Sequence, residues 1–187
     1  MIIDLPQYIH QCTPQVAETT MMAIIKTESK GNPLAIGLNK GYRLMYQPRD
    51  YKQAVAWVNY LEEHNYNFDI GIVQINIKNA HKFGYRAAEL LEPCLNLKIG
   101  AQILQKNYTR ALSGSSNQQE ALLKAISAYN TGNYRNGFYN GYVQKVVYNA
   151  TGSTPYVPPQ PRKKKDKVQH RSRHSKYNQI QYTQNQI

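Results

Sequence analysis

The stretch Met21-Met-Ala-Ile-Ile-Lys-Thr-Glu-Ser-Lys-Gly-Asn-Pro33 predicts a helix that carries an acid on its apolar face. The residues three, four and seven positions before Glu28 are apolar, so a helix places them on the same side as its carboxyl. Gly31 and Pro33 predict that the helix ends just after Glu28. Burial and the negative end of the helix dipole should raise the pKa of such a carboxyl, which could then act as a general acid near neutral pH. The alternative is a solvated residue or one half of an ion pair.

The chain is long enough, at 187 residues, for one domain and a tail. Its net charge is +12, but residues 161–187 carry eight basic side chains against one acid, which leaves only +5 for residues 1–160. The basic character therefore belongs mainly to the tail and says little about the chemistry of the domain. No stretch is apolar for long enough to span a bilayer. The first residues show neither a basic nor an apolar signal region, so no signal peptide is visible in this sequence.

Apolar periodicity predicts a mainly helical domain over residues 1–152. We expect the first helix to have Thr13 as its N-cap and to end near Lys30, and a later helix to have Asn96 as its N-cap. The expected helices cover residues 13–30, 50–64, 96–112, 118–130 and 140–150. Residues 153–187 form a proline-rich linker and a basic tail that is too poor in apolar residues to fold, so we expect this region to be disordered.

The run Asp69-Ile-Gly-Ile-Val-Gln-Ile-Asn76 adds a minor β or turn region to the helices. If the run is extended, its alternation places Ile72, Gln74 and Asn76 on one side. Such a side could present the two amides to a ligand.

Three short motifs occur in order along the chain: Thr27-Glu28-Ser29 at a helix end, Gly71-Ile-Val-Gln-Ile-Asn76, and Ser127-Ala-Tyr-Asn-Thr-Gly132. Together they resemble the lytic transglycosylases with a goose-type-lysozyme-like fold. The specialised members of type IV secretion and conjugation systems are most similar, because four further strings match them. These are Cys12-Thr-Pro14, Ala35-Ile-Gly-Leu-Asn39, Tyr66-Asn-Phe-Asp69 and Glu92-Pro-Cys-Leu-Asn96. The resemblance implies a mainly α, lysozyme-like α+β fold with the minor β region at the active-site cleft.

The resemblance also implies cleavage of peptidoglycan glycan strands between N-acetylmuramic acid and N-acetylglucosamine. Glu28 matches the single catalytic acid of the family. It would protonate the glycosidic oxygen while the substrate's N-acetyl group stabilises the cation, and would then take the proton of the C6 hydroxyl as a 1,6-anhydro ring closes. This scheme departs from the two carboxylates of most glycosidases. A periplasmic location, type IV secretion partners and local opening of the cell wall are implied as well.

Three polar residues of the second motif are expected to support the site. Asp69 is expected to fix the turn by bonding backbone amides, although it could also serve as a nucleophile or raise the pKa of Glu28 through its charge. Gln74 and Asn76 either stabilise the turn or bond the N-acetyl and hydroxyl groups of a sugar.

Ser29, Tyr129 and Asn130 complete the set of supporting residues. Ser29 either orients the Glu28 carboxylate or caps the helix end. Tyr129 has helical spacing from apolar residues of its own segment, which is typical of a core tyrosine. In the family pattern its hydroxyl instead reaches the catalytic carboxyl, and Asn130 shapes the adjacent turn.

Cys12 and Cys94 lie inside two of the matched strings. In an oxidising compartment we expect them to form one disulfide between the start of the catalytic helix and the segment before Asn96, whereas free thiols are the default in the cytosol. The histidines are isolated or lie in the tail, so no metal site is expected. No glycine-rich phosphate loop occurs, and no cofactor is expected.

Other functions compete with a transglycosylase. A hydrolytic lysozyme or endolysin on the same fold would leave reducing ends instead of anhydro ends. A nucleic-acid-binding or cell-wall-binding protein would act through the basic tail, at Lys163–Lys165, but the helices carry no basic stripe and we expect no nucleic-acid partner. An inactive scaffold that binds glycan or secretion components would not need Glu28, Gln74 and Tyr129 together.

Overall fold

The computed structural model describes residues 4–153 and 179–180. The protein is mainly α-helical with a small sheet, as the sequence predicts. The helices are α1 (Leu5–Cys12), α2 (Glu18–Glu28), α3 (Tyr51–Glu63), α4 (Ile77–Lys82), α5 (Pro93–Leu112), α6 (Gln118–Thr131), α7 (Asn136–Tyr139) and α8 (Tyr142–Thr151), with a 3₁₀ turn at Ala87–Leu91. The strands are β1 (Ile36–Leu38), β2 (Arg43–Leu44), β3 (Phe68–Ile70), β4 (Ile75–Asn76) and β5 (Gln179–Ile180).

Helix α2 lies in the core, with Met21, Ala23, Ile24 and Ile25 all buried. It packs against α8, while α5 packs against α6. The helix ends at Glu28, as the sequence predicts. The acid therefore stands in the last turn of a largely buried helix.

A short helix that sequence reasoning did not find, α1, precedes α2. Its end is fixed by Thr13, whose backbone N–H and hydroxyl both donate to the carbonyl of Ile9 at 2.9 Å. The prediction that Thr13 caps the catalytic helix is therefore wrong, since α2 begins at Glu18 with no side-chain cap. Pro14 disfavours a helical conformation of Thr13, so this pair ends one helix instead of opening the next.

Helices α3, α6 and α8 confirm the predictions for residues 50–64, 118–130 and 140–150. Asp50 is the N-cap of α3, and its carboxylate accepts from the N–H of Gln53 at 2.8 Å. Side-chain capping of this kind satisfies an N–H that has no partner inside the helix.

The start of α5 differs from the prediction. The helix begins at Pro93, because the Glu92 carboxylate accepts from the N–H groups of Cys94 and Leu95 and so caps the first turn. Asn96 is not the N-cap but is fully buried inside the helix. Its polarity is explained by the site described below.

Strands β1, β3 and β4 form an antiparallel sheet in the order β1-β3-β4. The register aligns Gly37 with Asp69 and Asp69 with Asn76. Between β3 and β4 the chain turns through residues 71–74, with left-handed backbone at Gly71 (φ 81°) and Gln74 (φ 51°). The run is therefore a turn between two short strands, and the extended conformation that would place Ile72, Gln74 and Asn76 on one side is absent from it, because Gly71 permits a turn that the apolar alternation conceals.

Strand β5 pairs in parallel with β2, Arg43 with Gln179 and Leu44 with Ile180. At these two residues the structure departs from the predicted disorder. Backbone pairing needs no apolar side chains, so a prediction from composition does not detect it. The rest of the tail prediction falls on residues 154–178 and 181–187, which lie outside the described residues.

A disulfide joins Cys12 at the end of α1 to Cys94 in the first turn of α5. The two cysteines are 82 positions apart, and the chain-entropy model gives about 4–5 kcal/mol of stabilisation for a loop of that order. The disulfide itself confirms the predicted pairing. The expectation that it ties the start of the catalytic helix is wrong, because Cys12 belongs to the separate helix α1. Among the described residues, no helix is both long and apolar enough to cross a membrane.

Candidate active site

Glu28, the last residue of α2, is partly exposed. Its pKa is raised to about 7, mainly by burial and to a smaller extent by the negative charge of Asp69, against a hydrogen bond from Tyr142 that lowers it. A carboxyl with this pKa can hold a proton near neutral pH and can also release it. Glu28 can therefore work as an acid in one step and as a base in the next.

The phenol that reaches Glu28 is Tyr142, whose hydroxyl donates to Oε1 at 2.5 Å. Tyr142 is the first residue of α8, which packs along α2. Seven residues later, the Asn149 amide donates to the Thr27 hydroxyl at 2.9 Å, so two turns of α8 hold the last turn of α2. Sequence reasoning missed Tyr142. The one signal for it is its spacing of seven residues from Asn149, because this spacing places two polar groups on the same, apolar face of α8.

The expectation that Tyr129 bonds the catalytic carboxyl is wrong. The Tyr129 hydroxyl donates to the carbonyl of Val73 at 2.8 Å. Its pKa is raised by burial and by the negative charges of Glu28 and Asp69, so the phenol stays neutral and donates. Tyr129 therefore supports the turn beside the acid instead of the acid itself.

The four carbonyls of residues 70–73, at the end of β3 and in the turn that follows it, each accept a hydrogen bond from a side chain. The donors, in chain order of the carbonyls, are Asn96, Gln74, Ser29 and Tyr129, at 2.7–2.9 Å. Three of them come from outside the hairpin, from α5, the end of α2 and α6. Because irregular backbone away from water needs a partner for each polar group, these side chains hold the turn in one conformation.

Asn96 is the main support of this turn. Its amide donates to the carbonyl of Ile70 (2.9 Å) and to one in the 3₁₀ turn (2.8 Å), and its oxygen accepts from the N–H of Val73 (3.0 Å). Two glycines permit the close packing: a Cβ on Gly71 would lie 2.3 Å from the Asn96 amide nitrogen, and one on Gly100 would lie 2.6 Å from Val73. Sequence reasoning had no signal for this role except that Asn96 falls in a matched string.

Ser29 links the end of α2 to the turn. Its hydroxyl donates to the carbonyl of Ile72 (2.7 Å) and accepts from the N–H of Gly31 (3.1 Å). Of the two alternatives, the capping contact is the one that the structure contains, and Ser29 makes no hydrogen bond to the Glu28 carboxylate. The acid and the turn are thus held together through adjacent residues of one helix end.

Asp69 stands on β3, partly exposed between buried neighbours. Its carboxylate accepts from the side-chain amides of Asn76 (2.7 Å) and Asn39 (3.1 Å), and not from backbone amides as expected. Burial raises the pKa of Asp69, whereas both amides lower it. Its charge raises the pKa of Glu28, which is one of the alternatives left open by the sequence.

Gln74 and Asn76, which were given a sugar-binding alternative, and Asn130, which was expected to shape a turn, make contacts within the protein. Gln74 donates to two backbone carbonyls at 3.0 and 2.8 Å, and the Asn76 oxygen accepts from the first turn of α4 at 3.1 Å. Asn130 is exposed and accepts from Asn140 at 2.9 Å. These contacts agree with turn-stabilising roles, and sugar binding by Gln74 and Asn76 stays a prediction.

A second group of charged residues lies outside this site. Glu62 accepts from His81 Nε2 (2.7 Å) and from the N–H of Ala87 (3.3 Å), and so joins α3, α4 and the 3₁₀ turn. Within residues 4–153, no three His, Cys, Asp or Glu side chains are grouped so that they could hold a metal ion.

The chain matches the Transglycosylase SLT domain family over residues 8–150. It is 41% identical over 150 residues to the Type IV secretion system protein virB1 of Brucella abortus biovar 1 (strain 9-941), a match that covers 77% of this chain and 63% of that protein. It is 36% identical over 164 residues to Protein virB1 of Agrobacterium fabrum, covering 87% of this chain and 64% of that protein. The chain thus spans just under two thirds of the length of these relatives, and no solved structure matches it. Since the family match includes Glu28, the turn and nearly all of α8, the chain belongs to the transglycosylase SLT domain family.

Proposed function

We propose that this domain is a peptidoglycan lytic transglycosylase that cleaves the bond between N-acetylmuramic acid and N-acetylglucosamine with Glu28 as its acid and base. The observation that carries the proposal is the carboxyl of Glu28, with a pKa of about 7, at the end of a buried helix in a transglycosylase SLT domain. An acid with an ordinary pKa would already be ionised at neutral pH and could not protonate a leaving group.

In the first step the Glu28 carboxyl donates its proton to the glycosidic oxygen. The bond between that oxygen and C1 of the muramic acid breaks, and its electron pair leaves with the oxygen. The substrate's N-acetyl oxygen stabilises the positive charge at C1. Tyr142 supports this step, because its hydrogen bond to Oε1 keeps the carboxyl in one orientation.

In the second step the Glu28 carboxylate takes the proton of the C6 hydroxyl while the C6 oxygen attacks C1. The products are a 1,6-anhydromuramic acid end and a new N-acetylglucosamine end, and Glu28 regains its proton. Support for a fixed sugar position comes from the turn at residues 71–74, whose backbone is held by side chains from three helices. A fixed backbone of this kind reduces the cost of orienting the reacting groups.

We further propose that the enzyme opens the cell wall locally so that a type IV secretion or conjugation apparatus can be assembled in the periplasm. The relatives in Brucella and Agrobacterium support this, because the former is named a type IV secretion system protein. The Cys12–Cys94 disulfide supports an oxidising compartment.

Mass spectrometry of the muropeptides released from purified sacculi tests the reaction. Wild-type protein should release fragments that end in 1,6-anhydromuramic acid, and protein with the substitution Glu28→Gln should release none. Release of reducing muramic acid ends would replace the proposal with a hydrolytic lysozyme on the same fold. An absence of any soluble fragment would show that glycan cleavage is not the function.

A further inference from the structure

We propose that Asn140 is a positioning residue: its side chain joins the end of α6 to the first residue of α8 and thereby holds the phenol of Tyr142 on the Glu28 carboxyl. The inference rests on the proposed function, to which it adds a residue that sets the surroundings of the acid. Asn140 is not itself a catalytic residue, because it acts on the acid through Tyr142.

The N-cap position of α8 carries no side chain. It is occupied by Gly141, whose backbone lies in the left-handed region (φ 82°). The N–H of Tyr142 has no acceptor within the helix, because the first N–H groups of any helix lack one. Asn140 supplies the acceptor, since its Oδ1 binds that N–H at 2.9 Å. The residue before the cap thus takes the role that a capping side chain normally has.

The second hydrogen bond of Asn140 leads to α6. A backbone N–H can only donate, so the Asn140 atom that faces Tyr142 is the oxygen, and its amide nitrogen is free to donate elsewhere. That nitrogen donates to Oδ1 of Asn130 at 2.9 Å, in the last turn of α6. Each of the two bonds therefore requires the same amide orientation as the other, and together they join the end of one helix to the start of the next.

Gly141 leaves the backbone at the start of α8 a wide choice of conformations. A Cβ on this residue would meet no atom within 4 Å, so the space beside it is open, and glycine has more accessible backbone angles than any other residue. The side chain of Asn140 spans Gly141 by binding the N–H two residues after its own position, which is a common way for asparagine to fix a turn. The hydrogen bond therefore restricts a position that glycine alone would not.

The phenol of Tyr142 depends on the backbone from which its side chain starts. The side chain is buried and has only two torsion angles, so the ring follows the backbone closely. Its hydroxyl donates to Oε1 of Glu28 at 2.5 Å, and a hydrogen bond weakens steeply when its geometry departs from linear. A backbone change at the first residue of α8 should therefore reach the hydroxyl and weaken its bond to the acid.

The titratable groups around this bond come from α8, β3 and α6. Tyr142 lowers the pKa of Glu28, because its hydroxyl binds the charged carboxylate more strongly than the neutral acid, whereas the charge of Asp69 raises it. Tyr129 acts on Tyr142, and burial raises the pKa of both phenols, so both stay neutral. Of these effects on the acid, the hydrogen bond is the one that Asn140 controls, and its loss should raise the pKa of Glu28.

Titration of Glu28 in the full chain tests the inference. The side-chain carboxyl ¹³C shift of labelled glutamate follows protonation, and the Glu28 signal is the one that is missing from Glu28→Gln. Asn140→Ala should raise the titration midpoint of Glu28 by about half a pH unit, which is less than the rise expected for Tyr142→Phe. Because the measurement needs no substrate, it tests the role of Asn140 separately from glycan cleavage.

A double variant shows whether Asn140 acts through the phenol. When Asn140→Ala is combined with Tyr142→Phe, the Glu28 midpoint should equal that of Tyr142→Phe alone, because no hydroxyl is left to be positioned. If the two single shifts instead add, Asn140 acts on the acid by another route and the inference is overturned. An unchanged midpoint in Asn140→Ala would overturn it as well. Either result leaves the proposed function standing, since that function depends on Glu28 itself.

The matched control is Asn133→Ala. Asn133 lies in the same connection between α6 and α8, and its Oδ1 accepts from two backbone N–H groups at the start of α7, at 3.0 and 2.8 Å. The control thus loses hydrogen bonds of the same kind without losing one to Tyr142, and its Glu28 midpoint should stay at the wild-type value. Equal rises in Asn133→Ala and Asn140→Ala would show a general loosening of the connection and would contradict a specific role for Asn140.

The conservative variant Asn140→Ser covers the possibility that Asn140→Ala distorts the connection. Serine keeps a side-chain oxygen that can bind the N–H of Tyr142 but loses the bond to Asn130. Its Glu28 midpoint should therefore lie closer to that of the wild type than the midpoint of Asn140→Ala does. Identical midpoints in the serine and alanine variants would show that the bond to Tyr142 does not hold the phenol, and the inference would be wrong.

Discussion

The helical side of the site, α2 with α8, surrounds its acid with apolar side chains, whereas the sheet side, β1 with β3 and β4, surrounds its acid with amides. On the helical side Glu28 has one donor, Tyr142, and burial raises its pKa to about 7. On the sheet side Asp69 has two donors, which oppose the effect of its burial. Burial raises the pKa of both carboxyls, and this effect is opposed by one phenol on the helical side and by two amides on the sheet side.

The largest effect is expected on the helical side, from the substitution Glu28→Gln. This substitution keeps the shape of the side chain but removes the proton donor and the later base. Acid–base assistance is worth about 10²–10⁴ in rate, and Glu28 would supply both steps, so the loss should reach the upper end of that range. The rate of muropeptide release from sacculi measures it, with the circular-dichroism spectrum of the variant as the control for folding. A variant that cleaves sacculi at near the wild-type rate would show that the helical side does not carry the acid.

The sheet side depends instead on a buried amide, which Asn96→Ala removes. The substitution leaves two carbonyls and the N–H of Val73 without their partner in a buried turn. Each unsatisfied group costs about 1–3 kcal/mol, and partial rearrangement should limit the total to about 3 kcal/mol. Urea unfolding measures the change. The exposed substitution Asn130→Ala, on α6, is the matched control and should change the free energy of unfolding by less than about 0.5 kcal/mol.

The two sides also differ in how far the sequence predicts them. The position of Glu28 follows from local rules, because apolar spacing and the glycine after the helix act within one element. The roles of Asn96 and Tyr129 on the turn depend on contacts between residues 23 and 56 positions apart, which no local pattern contains. Tyr142 was missed for the same reason, since 114 positions separate it from Glu28. The resemblance to a family located the motifs but assigned the wrong tyrosine to the acid.

A smaller effect should appear in the dependence of stability on pH. The pKa of Glu28 is about 7 in the folded protein against 4.5 as the ordinary value, so the folded state binds more protons between these pH values. Stability therefore falls as the pH rises from 4.5 to 7 and levels off above it. Because the group is partly exposed, we expect the loss to be about 2 kcal/mol. Glu28→Gln should lack this loss, so its melting temperature should exceed that of the wild type at pH 8 and approach it at pH 4. A difference between the two proteins that does not change with pH would contradict the raised pKa.

The smallest effect distinguishes Tyr142, which bonds the acid, from Tyr129 on α6, which bonds the turn of the sheet side. Tyr142 lowers the pKa of Glu28 through its hydrogen bond, so Tyr142→Phe should raise that pKa. Cleavage requires protonated Glu28, and the alkaline limb of the pH–rate profile should therefore move to higher pH, by at most about one unit. Tyr129→Phe has the matching change of one hydroxyl but acts on the Val73 carbonyl, so it should lower the melting temperature and leave the alkaline limb in place. If instead the alkaline limb moves in Tyr129→Phe and stays in place in Tyr142→Phe, Tyr129 is the phenol that controls the acid. The family pattern would then describe this site better than the contact between α8 and α2 does.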